Sequence, residues 1–262
     1  MFDVHSRASR IGLQILATLM VLPFLFPLLA AIQGSLGGLG IGNYAKVFNT
    51  GIVATVFTNS LIISAFTIGI VYAVTMLAAF GFAKLRLFGR EVWFWVLLAA
   101  LTVPEAVLLT PLFVVASTFD LYNELAAVIL PLAAMQVPFT VLIARSFFDG
   151  IPTELMEAAK VDGASILRVF WSIILPLTRP ITATIVVLTL INSWNAYLLP
   201  MLMLNDQSKQ VVTLLPSFFV SQYTNDQTGV LAAAVITAIP EILVYLALQK
   251  YFERGLAAGA LK

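Results

Sequence analysis

Six apolar runs separated by short polar stretches set the layout of this chain. They lie near residues 11–33, 57–82, 92–116, 125–144, 181–203 and 230–249. Each is long enough to cross bilayer hydrocarbon as a helix, which takes about 20 residues. Inside lipid the backbone must satisfy its own hydrogen bonds, so runs of this kind are predicted to be helical. The expected fold is all-α: a polytopic membrane protein with six transmembrane helices, read as a single transmembrane domain over residues 1–262. Of the twelve prolines, Pro23, Pro27, Pro104, Pro111, Pro131, Pro138, Pro200 and Pro240 fall within the runs, and kinks are expected there. Arg7 and Arg10 ahead of the first run would also suit a secretion signal. The run is longer than a signal's apolar core of about 7–15 residues, so it is read as a retained span.

Between the fourth and fifth runs, about residues 145–180, lies the longest charged interruption. Its centre is Glu157-Ala-Ala-Lys-Val-Asp-Gly163, continuing to Ile173-Ile-Leu-Pro176. Pro152 suits a first helical position, where its missing N–H would be unpaired anyway. Glu154 and Glu157 then sit near the positive end of that helix. Gly163 is the natural stop, because a left-handed cap is cheap only for Gly or Asn. Ser165 can cap a second helix that carries Ile166, Val169, Phe170 and Ile173 on one face. The stretch is predicted to be a helix-turn-helix. Ala158 and Ala159 leave a low profile beside Glu157, over which another protein's surface could approach. On these residues alone, an amphipathic hairpin resting on the membrane surface is the other reading.

E-A-A, three residues, G, nine residues and I-x-L-P resembles the cytoplasmic signature loop of permease subunits of bacterial ABC importers. Other stretches resemble the sugar-importing, maltose-transporter branch of that family, in particular its smaller permease subunit. They are Asn59-Ser60-Leu61, Gly81-Phe-Ala-Lys-Leu-Arg86, Ser193-Trp-Asn-Ala-Tyr-Leu-Leu-Pro200 and the tail from Gln249 to Lys262. The resemblance implies a permease domain that pairs with a second, homologous permease subunit to form the pore. Two cytoplasmic ATPase subunits would bind ATP and Mg, and an extracytoplasmic sugar-binding protein would deliver substrate. It also implies that Glu157, Ala158, Ala159, Asp162 and Gly163 couple the pore to an ATPase. The implied location is the bacterial cytoplasmic (inner) membrane, with lipid around a multi-pass chain.

Composition agrees with membrane residence. The chain is 61% hydrophobic and 10% charged, where a soluble domain carries about 25% charged residues. With no cysteine and a single histidine, His5, neither a disulfide framework nor a Cys/His metal site is expected. The few basic residues are scattered, so nucleic acid is not an expected partner. No Gly-Lys dipeptide occurs, so the phosphate-cradling loop of ATPases is missing. The chain is therefore read as a non-enzyme whose energy comes from partner subunits. With the N-terminus inside, twelve of the fourteen Lys and Arg residues fall on the cytoplasmic side, leaving Lys46 and Lys209 outside. The positive-inside rule then puts both termini and the Glu157 loop in the cytoplasm.

Polar groups within the runs are candidates for a substrate path. Thr189, Asn192 and Asn195 are expected on one face of the fifth span, with Trp194 opposite; amides suit sugar hydroxyls and an indole suits a sugar ring. The other reading is that they hydrogen-bond neighbouring helices. Thr237, Glu241 and Tyr245 form a stripe on the sixth span, with Glu105 of the third span expected at a similar depth. A buried partner or a protonated carboxyl would serve these acids equally well. A proton-coupled secondary transporter using Glu105 and Glu241 is the alternative function, but it leaves the signature loop unexplained. In the outer loop 204–229, Phe218, Phe219 and Tyr223 are expected to be exposed to the binding protein.

Overall fold

The structure, a computed structural model, describes residues 7–220 and 226–260, with the side chains of residues 7, 8, 248 and 250–260 outside that description. His5, Tyr223 and the side chains of the tail motif after Lys250 therefore lie outside the described residues, as do both chain ends. Among the described residues the elements are α1 (Arg7–Ser35), α2 (Gly42–Asn49), α3 (Val53–Lys84), α4 (Arg90–Ala99), α5 (Glu105–Thr118) and α6 (Ala126–Asp149). They continue with α7 (Glu154–Val161), α8 (Ile166–Val169), α9 (Leu175–Leu177), α10 (Arg179–Trp194), α11 (Leu198–Met203) and α12 (Gln227–Ala260). Four helices are long and apolar enough to cross a membrane, and two bent pairs raise the number to six if each pair is one span.

Two compact units emerge. One comprises Met1–Gly51 and Leu215–Ala238, the other Ile52–Leu214 and Ile239–Lys262. In the first, the end of α1 and the start of α12 are tied to α2 by polar contacts. The Asn43 amide donates to the carbonyls of Ser35 (2.9 Å) and Gly37 (2.6 Å), and the Ser35 and Tyr44 hydroxyls lie 2.6 Å apart. Asp226 accepts from the Gly229 N–H at 3.1 Å and the Thr228 hydroxyl at 2.9 Å, capping α12, and takes the Lys46 ammonium as well. Gly229 is required at this corner: a Cβ there would come within 2.6 Å of both Phe219 Cδ1 and the Asp226 carboxylate.

The second unit is built on α3, which packs against α6 and α10. Small buried polar residues on α3 make the crossings close. Thr75 and Thr140 hydroxyls meet at 2.6 Å, Ser193 donates to Ser64 at 3.0 Å, and Ser60 accepts from the Val212 N–H at 2.9 Å. In an apolar setting such interhelical bonds are worth about 0.6–2 kcal/mol each. One apolar core gathers Phe80, Phe148, Phe170, Ile174 and Ile185 toward the α7–α9 end. A second collects Ile63, Leu132, Leu199, Met203 and Leu214 toward the other end of α3.

Two of the expected spans are not single helices. The third, expected over 92–116, is α4 and α5 meeting at 100°. The residue before a proline is pushed out of the helical region, and Val103, before Pro104, has φ −89 and ψ 116. The fifth, expected over 181–203, breaks between Trp194 and Leu198. In a continuous helix the Pro200 ring would collide with the Ala196 carbonyl; that carbonyl instead accepts from the Thr213 hydroxyl at 2.7 Å.

Candidate functional site

The loop between α6 and α10 begins with α7, whose first turn carries Glu154 and Glu157. Its end is a Schellman motif. Gly163 has φ +77, its N–H reaches the Lys160 carbonyl at 3.1 Å, and the Ala164 N–H reaches Ala159 at 2.9 Å. The Ser165 hydroxyl accepts from the Arg168 N–H at 3.3 Å, so it caps α8 as the sequence predicts. Helix then continues through a π-helical turn, Phe170–Ile174, into α9. The wider turn changes which residues face inward. Val169, Phe170 and Ile174 are buried, whereas Ile166, expected inside, is 57% exposed.

Ala158 and Ala159, read from the sequence as a low profile beside Glu157, lie on different faces of α7. Ala158 is exposed, but Ala159 is buried and packs into the core that holds Phe80 and Phe170. Any side chain larger than a methyl would lift α7 off that core. The outward face is Glu154, Glu157, Ala158, Val161 and Asp162. Glu157 makes no ion pair among the described residues. Val161 is 88% exposed; sequence reasoning missed it, although its i+4 spacing from Glu157 could have placed it on that face. Lys84, at the end of α3, donates to the Ile151 carbonyl at 2.6 Å and pins the start of the loop. The Phe80 and Phe170 rings, 5.1 Å apart, join the loop's far arm to the same helix. Nearby, Arg145 binds Glu91 at 2.6 Å and lies 4.0 Å over the Phe94 ring.

The path candidates separate. Thr189 is fully buried, while Asn192 and Asn195 are exposed. A spacing of i, i+3, i+6 drifts around a helix of 3.6 residues per turn, so the three do not share a face. Trp194 is buried with its ring edge-on to Phe57 at 5.9 Å, so its indole is packed as core. It lines an apolar cavity of about 140 Å³ that also touches Glu241 and Tyr245. Glu241 accepts from the Asn195 amide at 2.7 Å, and Asn195 also donates to the Ile191 carbonyl at 3.0 Å. Thr237 bonds back to the Ala234 carbonyl at 2.8 Å.

Glu105 and Glu241, expected at a similar depth, line different cavities. Glu105 opens α5 and borders a cavity of about 390 Å³ with Asn192, Asn195, Ala196 and Tyr197. A second cavity of about 360 Å³ shares Glu105, Leu132 and Asn192, and adds Gln136. Gln136 and Tyr197 carry no sequence signal that singles them out. The outer-loop expectation also fails in part: Phe219 is buried and Phe218 half-buried, because both pack inward on a 3-10 segment over Val212–Phe219. Just ahead of α12, Asp226 is held down to about 2, chiefly by Lys46 and then by the Gly229 N–H and Thr228 hydroxyl.

Residues 74–258 match the family described as "Binding-protein-dependent transport system inner membrane component". The melibiose/raffinose/stachyose import permease protein MelC of Bacillus subtilis (strain 168) is 32% identical over 84% of this chain and 80% of its own. The sn-glycerol-3-phosphate transport system permease protein UgpE of Yersinia enterocolitica is 33% identical over 83% of this chain and 75% of its own. Among solved structures, a bacterial ABC transporter involved in import of the acidic polysaccharide alginate superposes with a TM-score of 0.79 at 23% identity. That match covers 95% of this chain and 99% of the other.

Proposed function

Because the chain belongs to the family of inner membrane components of binding-protein-dependent transport systems, we propose that it is a permease subunit of an ATP-driven sugar importer, contributing half of the translocation pore. The sugar assignment rests on relatives such as MelC, named for melibiose, raffinose and stachyose import. The second half of the pore is a homologous permease. ATP and Mg are bound by two ATPase subunits, and a binding protein presents substrate from outside. Twelve of fourteen basic residues on one side of the spans support cytoplasmic termini and a cytoplasmic α7 loop.

The observation that carries the coupling role is the outward face of α7. Glu157, Ala158, Val161 and Asp162 are exposed, while the inward Ala159 belongs to the same core as residues of α3, α6 and α10. A protein that grips the outer face moves this core with it, and with the core the helices it joins. Glu157 is the charge available to a basic group on the ATPase, and Gly163 sets the angle at which α7 is offered. Losing one member of a hydrogen-bonded interfacial charge pair costs about 2–5 kcal/mol. Glu157→Ala is expected to release the ATPase on purification and to lower ATP-dependent uptake while the chain still inserts. Full ATPase retention with unchanged uptake would remove Glu157 from the coupling site.

A further inference from the structure

The break at Pro104 and the break after α10 open onto one place. The cavity of about 390 Å³ is bordered by Glu105, at the first turn after the Pro104 break, and by Asn195, Ala196 and Tyr197, which form the break after α10. Irregular backbone at membrane depth is tolerated where it lines a water-filled cavity or is buried in protein, and discontinuous helices of this kind frame transporter binding sites. Each of the two cavities that share Glu105 and Asn192 falls within the range of about 300–1,000 Å³ common for small-molecule sites.

The chemistry of the lining is selective. Amides of Gln136 and Asn192 both donate and accept hydrogen bonds, the Asn195 side-chain oxygen and the Glu105 carboxylate accept them, and Tyr197 offers a ring face. No lysine or arginine lines either cavity among the described residues, and Glu105 is the one carboxylate there. A hydroxyl-rich neutral molecule finds partners throughout. On this chain's wall an anion finds a carboxylate and no cation to offset its lost hydration.

Building on the importer reading, we propose that these cavities are this chain's share of the translocation path. They admit uncharged or amino-bearing polyhydroxylated substrates and disfavour phosphorylated or carboxylated ones. This separates the chain from what the names of UgpE and of the alginate importer say of those proteins. Glu105 is the selectivity residue, because it is the one carboxylate that borders both cavities.

The chain has no cysteine, so Asn192→Cys in the assembled importer places a single thiol of this subunit in the cavity. The probes are a cationic and an anionic methanethiosulfonate of equal length, with rates normalised to a free thiol in solution and read with and without ATP. The cationic reagent is expected to be favoured by about 10-fold in at least one nucleotide state. That preference should collapse to near unity when Glu105→Gln is added. Equal rates with Glu105 present, or a preference for the anion, would overturn the proposal. So would a thiol that neither reagent reaches in either state. Each of those results, in a complex that still holds its ATPase and transports, rejects the cavity while leaving the importer reading intact. An unsubstituted chain that recruits no ATPase rejects the importer reading itself.

Discussion

Gly163 offers the sharpest test of how the α7 loop works. Its φ of +77 lies in the left-handed region, where a residue with a Cβ is strained by about 1–2 kcal/mol; Asn is the residue that visits it most readily after Gly. No atom lies within 4 Å of where a Cβ would stand, so the cost within this chain comes from backbone strain alone. Relieving the strain by changing φ would break the Gly163 and Ala164 N–H bonds to Lys160 and Ala159, each worth about 1 kcal/mol. The chain takes the cheaper course, so Gly163→Val is expected to weaken the turn by about 1–2 kcal/mol, whereas Gly163→Asn should cost well under 1 kcal/mol. The assay pairs amide hydrogen exchange at Ala164 with ATP-dependent uptake in the reconstituted importer. The Val variant should lose about 5–30-fold of Ala164 protection, since 1.4 kcal/mol is tenfold, and most of its uptake. The Asn variant should keep both. If Asn preserves Ala164 protection yet transports as poorly as Val, the glycine serves close contact with a partner, and the argument from the turn is wrong.

Reporter fusions after Lys84 and after Leu155 should read cytoplasmic, and fusions near Lys46 and Ser208 external; a cytoplasmic signal at Ser208 would overturn the six-span topology. Asp226, depressed to about 2 by Lys46 and the α12 cap, contributes stability that is full above its unfolded value near 4 and lost as pH falls toward 2. With Lys46 half exposed and the pair screened accordingly, Asp226→Asn should cost about 1 kcal/mol at neutral pH. Thermal unfolding in detergent should show that loss and flatten between pH 4 and 2; an unchanged acid profile would refute the clasp. Thr213→Val leaves the Ala196 carbonyl without the hydroxyl at 2.7 Å and should cost about 1–3 kcal/mol, with Thr213→Ser close to the parent. Equal stability of all three would mean that the α10–α11 break does not depend on this bond.

Features that depend on local composition were readable along the chain. Run length and apolarity alone indicate spans, because a lipid-crossing backbone has no partner but itself. The turn at Gly163 and the cap at Ser165 were equally plain, since each follows from what a single residue type can do with its own backbone. What the structure decided is where local preferences meet neighbours. Pro111, Pro131, Pro138 and Pro240 sit inside unbroken helices, yet the helix stops at Pro104 and ahead of Pro200. Which proline breaks a helix depends on whether the freed carbonyl finds another donor, as Ala196 finds Thr213 from a segment 17 residues away. Ala159 and Ala158 are identical in type and adjacent; the packing of α7 against a core that includes Phe80, Phe148 and Phe170 makes one a core residue and leaves the other at the surface. Glu105 and Glu241 look alike as acids in apolar runs. One borders a cavity at a helix break and the other is bound by Asn195, because the role of a carboxylate in an apolar run is set by the donors that other helices bring to it, and those lie far away in the chain.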